Sequence, residues 1–158
     1  MEQTKKLNCS GILLSLDFQK AFDTPEWPCI SNVLKMYNFG DILLRTWIKV
    51  LYTKVEGTVL NNGFATNWFK PSAGVRQGCP LSPYLFILTA ELMSNKIRQS
   101  IDFKGISVFE KEIEVSQFAD DTNLFCADLS SVEKGLQIVA DFGAISGLKS
   151  NIKKTKTM

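Results

Sequence analysis

The apolar positions of this chain follow two periods, one of strands and one of helices. From Ser10 to Phe18 (SGILLSLDF) an apolar run of strand length ends in an acid. In strand alternation Ile12, Leu14, Leu16 and Phe18 share one face, while Leu13, Ser15 and Asp17 share the other, so that Asp17 need not point into the core. After a turn through Gln19 to Asp23, Thr24-Pro25-Glu26 reads as a helix start with proline in the first turn, and the helix ends near Asn38 to Gly40. A second helix from about Asp41 gathers Leu44, Trp47, Ile48 and Leu51 on one face. From Val55 to Arg76, β-branched and aromatic residues interrupted by Asn61, Asn62 and Gly63 predict a hairpin or irregular strands. Ser82-Pro83 supplies a cap and first position for a helix to about Gln99, whose first half is apolar nearly all round and is expected to be buried. Between Gly105 and Ala127 strand-like runs predict a hairpin carrying Asp120-Asp121 in its turn. Ser130-Ser131-Val132-Glu133 reads as a capping box, with Val132, Leu136, Val139, Ala140 and Gly143 at helical spacing until Gly147 stops the helix. Helices among several non-sequential strands predict an α+β domain.

Composition narrows the function. At 158 residues and 45% hydrophobic, with no repeat and no Gly/Ser linker, the chain reads as one domain. Eighteen Lys and Arg against sixteen Asp and Glu give a net charge of +2, so any nucleic-acid contact must come from local patches. The four cysteines never form C-x-x-C and there is no histidine, which argues against a structural zinc site and excludes every His-based mechanism. Carboxylates, Lys, Tyr, Ser and Cys remain as catalytic groups. Asp17 interrupts the N-terminal apolar run, and the stretch near Tyr84 to Ala90 is far short of a membrane span. The expectation is a reduced, intracellular protein with no membrane partner.

Asp120-Asp121 stands out, although aspartate is common in turns because its side chain accepts local backbone hydrogen bonds. Asp17, at the end of an apolar strand, lies where sheets tend to build ligand sites. Three carboxylates converging from two strand ends repel one another unless cations sit between them. Hard divalent ions suit such oxygen ligands, and Mg²⁺ suits carboxylates plus substrate phosphates. A pair of turn aspartates and a shared cation site are both open on these grounds.

Four motifs carry a resemblance. LDFQKAFDTPEW (Leu16 to Trp27), GVRQGCPLSPYLFIL (Gly74 to Leu88), FADDT (Phe118 to Thr122) and GLKSNIKKTK (Gly147 to Lys156) occur in the order of the palm motifs of reverse transcriptases. They resemble most closely those of non-LTR, LINE-type retrotransposons. The resemblance implies a right-hand polymerase palm, an antiparallel sheet backed by helices with partial fingers, and residues 1–158 as one partial reverse transcriptase domain. It matches Asp17, Asp120 and Asp121 to catalytic aspartates holding two Mg²⁺ ions, or Mn²⁺ in their place, with the Phe18 carbonyl as a further ligand. Phe22 matches the bulky residue under the incoming sugar, where a ring clashes with a 2′-hydroxyl. Gln77 and Gly78 match the lining of the nascent base-pair pocket, Arg76 is placed to meet phosphate, and Lys154 matches a lysine that assists pyrophosphate departure.

The implied reaction is RNA-directed DNA synthesis, with an RNA template, a DNA primer and deoxynucleoside triphosphates as partners. Pro25 departs from the pattern, since related sequences usually carry Val or a similar apolar residue there. The upstream fingers strands, the thumb and accessory domains are expected to be absent from the chain. The competing reading is a non-catalytic retroelement remnant, or a co-opted domain that binds nucleic acid or protein. An unrelated two-metal phosphohydrolase gains no support from the second motif.

Overall fold

The computed structural model describes residues 11–40 and 43–151, with the strand at 156–157 besides. The N-terminal run forms β1 (Ile12–Leu16), which sits inside a four-stranded antiparallel sheet with β7 (Val115–Phe118), β8 (Asp121–Cys126) and β10 (Lys156–Thr157) in the order β10-β1-β8-β7. Three two-stranded ribbons accompany it: β2 (Phe18–Gln19) with β9 (Lys149–Ser150), β3 (Leu60–Asn61) with β4 (Phe64–Ala65), and β5 (Ile106–Val108) with β6 (Lys111–Ile113). The helices are α1 (Trp27–Met36), α2 (Leu43–Tyr52), α3 (Ser82–Arg98) and α4 (Leu129–Ser146). This is the α+β architecture that the periodicities predict.

Period-two alternation gives the sheet one dry face. Leu14, Leu16, Leu124 and Cys126 are buried with Phe86, Ala90, Met93 and Ile97 of α3 and Ile138, Val139 and Phe142 of α4. Burial of such side chains stabilises by roughly 1.5–3 kcal/mol each. A second cluster joins Ile30 and Leu34 of α1 to Ile48 and Tyr52 of α2, with Val75 and Leu85. Phe22 packs against both clusters, so the loop after β2 is fixed where they meet.

Several expectations change. The first strand breaks at Asp17, because β1 pairs with β8 whereas Phe18 and Gln19 pair with β9. Helix α1 begins at Trp27 with Pro28, not Pro25, in its first turn; Glu26 is held outside it by a bond from its N–H to the Ser146 carbonyl (2.8 Å) and a bridge to Ala73. In α2, Trp47 is 61% exposed and Tyr52 takes the buried place beside Ile48, while the side chain of Leu44 lies outside the described residues. Ser82 does not cap α3: its buried hydroxyl donates to the Arg76 carbonyl at 2.5 Å. Tyr84 and Ile87 are exposed, so the first half of α3 is buried on one side only.

The cap of α4 lies two residues earlier than the expected box. Asp128 accepts from the Ser131 amide at 2.7 Å and the Ser131 hydroxyl at 2.8 Å. Its buried face runs through Gly135, Ile138, Val139 and Phe142, leaving Leu136 and Ala140 outside. Gly147 ends the helix as predicted, with φ of 79°, a conformation that costs glycine nothing. The hairpin turn at Asn62-Gly63 also forms, in a ribbon exposed on both sides.

Candidate active site

Asp17 lies where the chain changes partner strands. On one side the β1–β8 ladder ends at Leu16 opposite Thr122, and one further step in that register sets Asp17 across from Asp121. The β7–β8 hairpin closes with Phe118 opposite Asp121, leaving Ala119 (φ 53°) and Asp120 to form the turn, so that Asp121, expected in the turn with Asp120, is instead the first paired residue of β8. Alternation puts Asp17 and Asp121 on the face of Ser15 and Asn123, opposite the buried Leu16 and Thr122. One end of the sheet thus carries two facing carboxylates with a third in the adjoining turn. Asp17 is half-buried, Asp120 likewise, and Asp121 exposed.

The other side of Asp17 is held by a residue that the sequence reading does not single out. Asn151 donates its backbone N–H to the Asp17 carbonyl (2.7 Å) and its side-chain amide to Asp17 Oδ2 (3.1 Å). Asn151 lies inside the quoted GLKSNIKKTK motif, so a signal for it was present. Behind the aspartate turn, Ser94 of α3 donates to Gln117 Oε1 at 2.8 Å, and Gln117 is the cross-strand partner of the fully buried Thr122. These polar groups tie β7 to α3 beneath the carboxylates.

A second cluster assembles around residues 74–83. The Gly74 amide donates to the Pro25 carbonyl (2.8 Å), the Val75 amide to the Phe22 carbonyl (2.7 Å), and Trp27 Nε1 to the Gly74 carbonyl (2.9 Å). These bonds dock the second motif on the first. The Phe22 ring stacks on Phe86 with centroids 4.9 Å apart, which fixes one wall of a cleft of about 370 Å³. Phe22, Arg76, Gln77 and Gly78, all expected nucleotide contacts, line it together with Cys79. The Gln77 amide donates to Asp23 Oδ1 at 3.3 Å. Cys79 has its thiol held below the usual range, chiefly by the Leu81 backbone amide, then by Ser82 and the positive charge of Arg76.

The side chain of Phe18 is only 4% exposed and belongs to the core, so its backbone alone is available to the site. Lys154 lies outside the described residues. Among the described residues no group of three Asp, Glu, Cys or His side chains is close enough to hold one ion. The donors at the sheet end are nonetheless hard oxygens, and Mg²⁺ commonly takes one or two carboxylates and completes its shell with water and substrate phosphates. In chemistry and number, the facing pair fits such an ion.

The family model for reverse transcriptase (RNA-dependent DNA polymerase) matches residues 1–158. The chain belongs to the reverse transcriptase family. Its relatives include the retrovirus-related Pol polyprotein from the type-2 retrotransposable element R2DM of Drosophila melanogaster, 32% identical over 94% of this chain and 14% of that protein. A 149 kDa protein of the transposon TX1 of Xenopus laevis is 29% identical over 96% of this chain and 12% of that protein. The chain spans about an eighth of the length of these relatives. Its fold is that of a polymerase palm: telomerase from Candida albicans, solved in complex with a fragment of telomeric RNA, superposes with a TM-score of 0.70 at 13% identity, over 99% of this chain and 28% of that one. The kinship read from the four motifs, with non-LTR retrotransposons, is the one these relatives bear out. No helix among the described residues is long and apolar enough to cross a membrane.

Proposed function

We propose that this chain is the palm, with partial fingers, of an RNA-directed DNA polymerase in which Asp17, Asp120 and Asp121 form the nucleotidyl-transfer site. The observation that carries the reading is the register that brings Asp17 opposite Asp121 at the sheet end, beside the turn that holds Asp120. Asp17, the Phe18 carbonyl, Asp120 and Asp121 would hold two Mg²⁺ ions, or Mn²⁺. Such ions supply charge stabilisation for the attacking and leaving oxygens of an in-line displacement.

The chain's own residues position the reactants. The 3′-hydroxyl of a DNA primer attacks the α-phosphate of a deoxynucleoside triphosphate, forming the new phosphodiester and releasing pyrophosphate. Phe22, buttressed by Phe86, sits under the sugar and disfavours a 2′-hydroxyl. Gln77 and Gly78 face the base pair formed on the RNA template, and Arg76 offers a fork of donors to phosphate. Lys154 would donate a proton to the departing pyrophosphate or stabilise its charge.

The test is primer extension on an RNA template with Mg²⁺ and deoxynucleotides. Asp120→Asn is expected to lower extension by about four orders of magnitude, the scale of the loss when a single catalytic carboxylate is replaced. Extension that survives in Asp120→Asn would sink the reading. The competing role is a remnant that binds nucleic acid or protein without catalysis. What favours it is that no three described carboxylates close on one ion; what weighs against it is a net charge of only +2, since phosphate binding needs clustered cations.

A further inference from the structure

We propose that Asn151 is a positioning residue for the Asp17 carboxylate, setting its rotation for a divalent cation. The inference rests on the metal-site reading above and assigns a role to a residue outside the catalytic set. Asp17 stands at the junction of two ladders. The β1–β8 register delivers it opposite Asp121, and the β2–β9 register, Phe18 opposite Ser150, delivers it opposite Asn151 when continued one step. A single residue from the segment after α4 therefore reaches Asp17 across 134 positions of sequence.

Asn151 grips Asp17 twice. Its backbone N–H on the Asp17 carbonyl (2.7 Å) fixes where the aspartate sits, and its side-chain amide on Oδ2 (3.1 Å) fixes how the carboxylate is turned. The second contact matters because the terminal torsion of an aspartate is broad when nothing constrains it. A carboxylate held through Oδ2 has a defined rotation at the end of the sheet, one residue past the last pair of β1 with β8. The donor is also neutral. A lysine there would bring a positive charge beside the carboxylate, whereas an amide orients the oxygen and brings none. Such outer hydrogen bonds to metal-ligating groups commonly carry ~10–100-fold in metal affinity.

The test is Mn²⁺ binding to the 158-residue chain with dATP present, read from the electron paramagnetic resonance signal of free Mn²⁺, alongside thermal melting. Asn151→Leu keeps the size and the backbone bond but removes the side-chain donor. It is expected to weaken Mn²⁺ binding ~10-fold or more, and to have no further effect in an Asp17→Asn background. Asn151→Ser, too short to reach Oδ2, is expected to behave in the same way and serves if the leucine variant does not fold. Unchanged Mn²⁺ affinity in a folded Asn151 variant, with binding still lost in Asp17→Asn, would overturn the positioning role while leaving the metal site standing. Mn²⁺ binding indifferent to Asp17→Asn itself would overturn both readings.

Discussion

Gly74 has φ of 93°, and a Cβ built on it would lie 2.8 Å from the Asp23 carbonyl oxygen. No neighbouring side chain can swing aside to relieve that clash, because the atom it meets is backbone. Gly74→Ala is expected to cost about 1–3 kcal/mol for the backbone conformation alone, and more as the 22–25 loop is pushed away. Denaturant unfolding reads the first effect, and a raised KM for deoxynucleotides reads the second through Phe22. Cys79 provides a different check. Its thiol is held below the usual range, Cys29 is pushed up by burial, and Cys126 is pushed up to about 11 by burial and the charge of Asp128. Only the thiolate reacts with iodoacetamide, so alkylation of Cys79 should set in at lower pH than for an ordinary thiol, while Cys126 stays unlabelled at pH 8. Peptide mapping after a pH series measures this, and if dATP occupies the cleft it should slow labelling at Cys79. At this scale the motif positions of Phe22, Arg76, Gln77 and Gly78 pointed to residues that the fold gathers around one cleft. Asn151 was not singled out, because its significance is a contact with a residue 134 positions away.

Among the elements, the β3–β4 ribbon is set apart from the two cores. Gly57 and Phe69 close its base through two backbone bonds of 2.8 and 2.9 Å, and every residue from 58 to 70 is exposed, including Leu60, Phe64 and Trp68. Replacing residues 58–68 by a Gly/Ser segment of equal length is expected to change stability by about 1 kcal/mol or less, as measured by thermal melting. A large loss would mean that the ribbon supports the core after all. The hairpin itself was readable from Asn62-Gly63, since turn chemistry is local. The helix faces were not. Trp47, Leu136 and Ala140 fit an apolar stripe by spacing, yet all three are exposed, because helix rotation follows the neighbour it packs on. The α4 cap moved for a related reason: the chain leaves β8 at Cys126 and turns within two residues, so that the Asp128 carboxylate accepts from the Ser131 amide and hydroxyl.

Over the whole molecule, the carboxylates and the cleft lined by Phe22, Arg76, Gln77 and Gly78 are joined by α3. Ser82 anchors its first turn to Arg76 at the cleft, and Ser94, further along the same helix, bonds Gln117 behind the aspartate turn. Polymerisation also needs a primer-template held against this surface, and the chain spans 14% of the length of its Drosophila relative. Grafted in place of the matching segment of that Pol polyprotein, the chain is expected to support primer extension well above what it achieves by itself, and the Asp120→Asn graft is expected to support none. Equal activity in the graft and its mutant would remove this palm from the chemistry. The amino-acid sequence by itself determined the period-two strands, the turn at Asn62-Gly63, a hairpin at Asp120, the glycine stop at Gly147 and the order of the four motifs, because each depends on residues close together in the chain. Tertiary structure alone decided that the two ladders set Asp17 between Asp121 on one side and Asn151 on the other, that Gln117 meets α3, and which side of each helix is dry. Those outcomes depend on strand register and helix docking, and both are chosen by contacts between segments that the sequence keeps far apart.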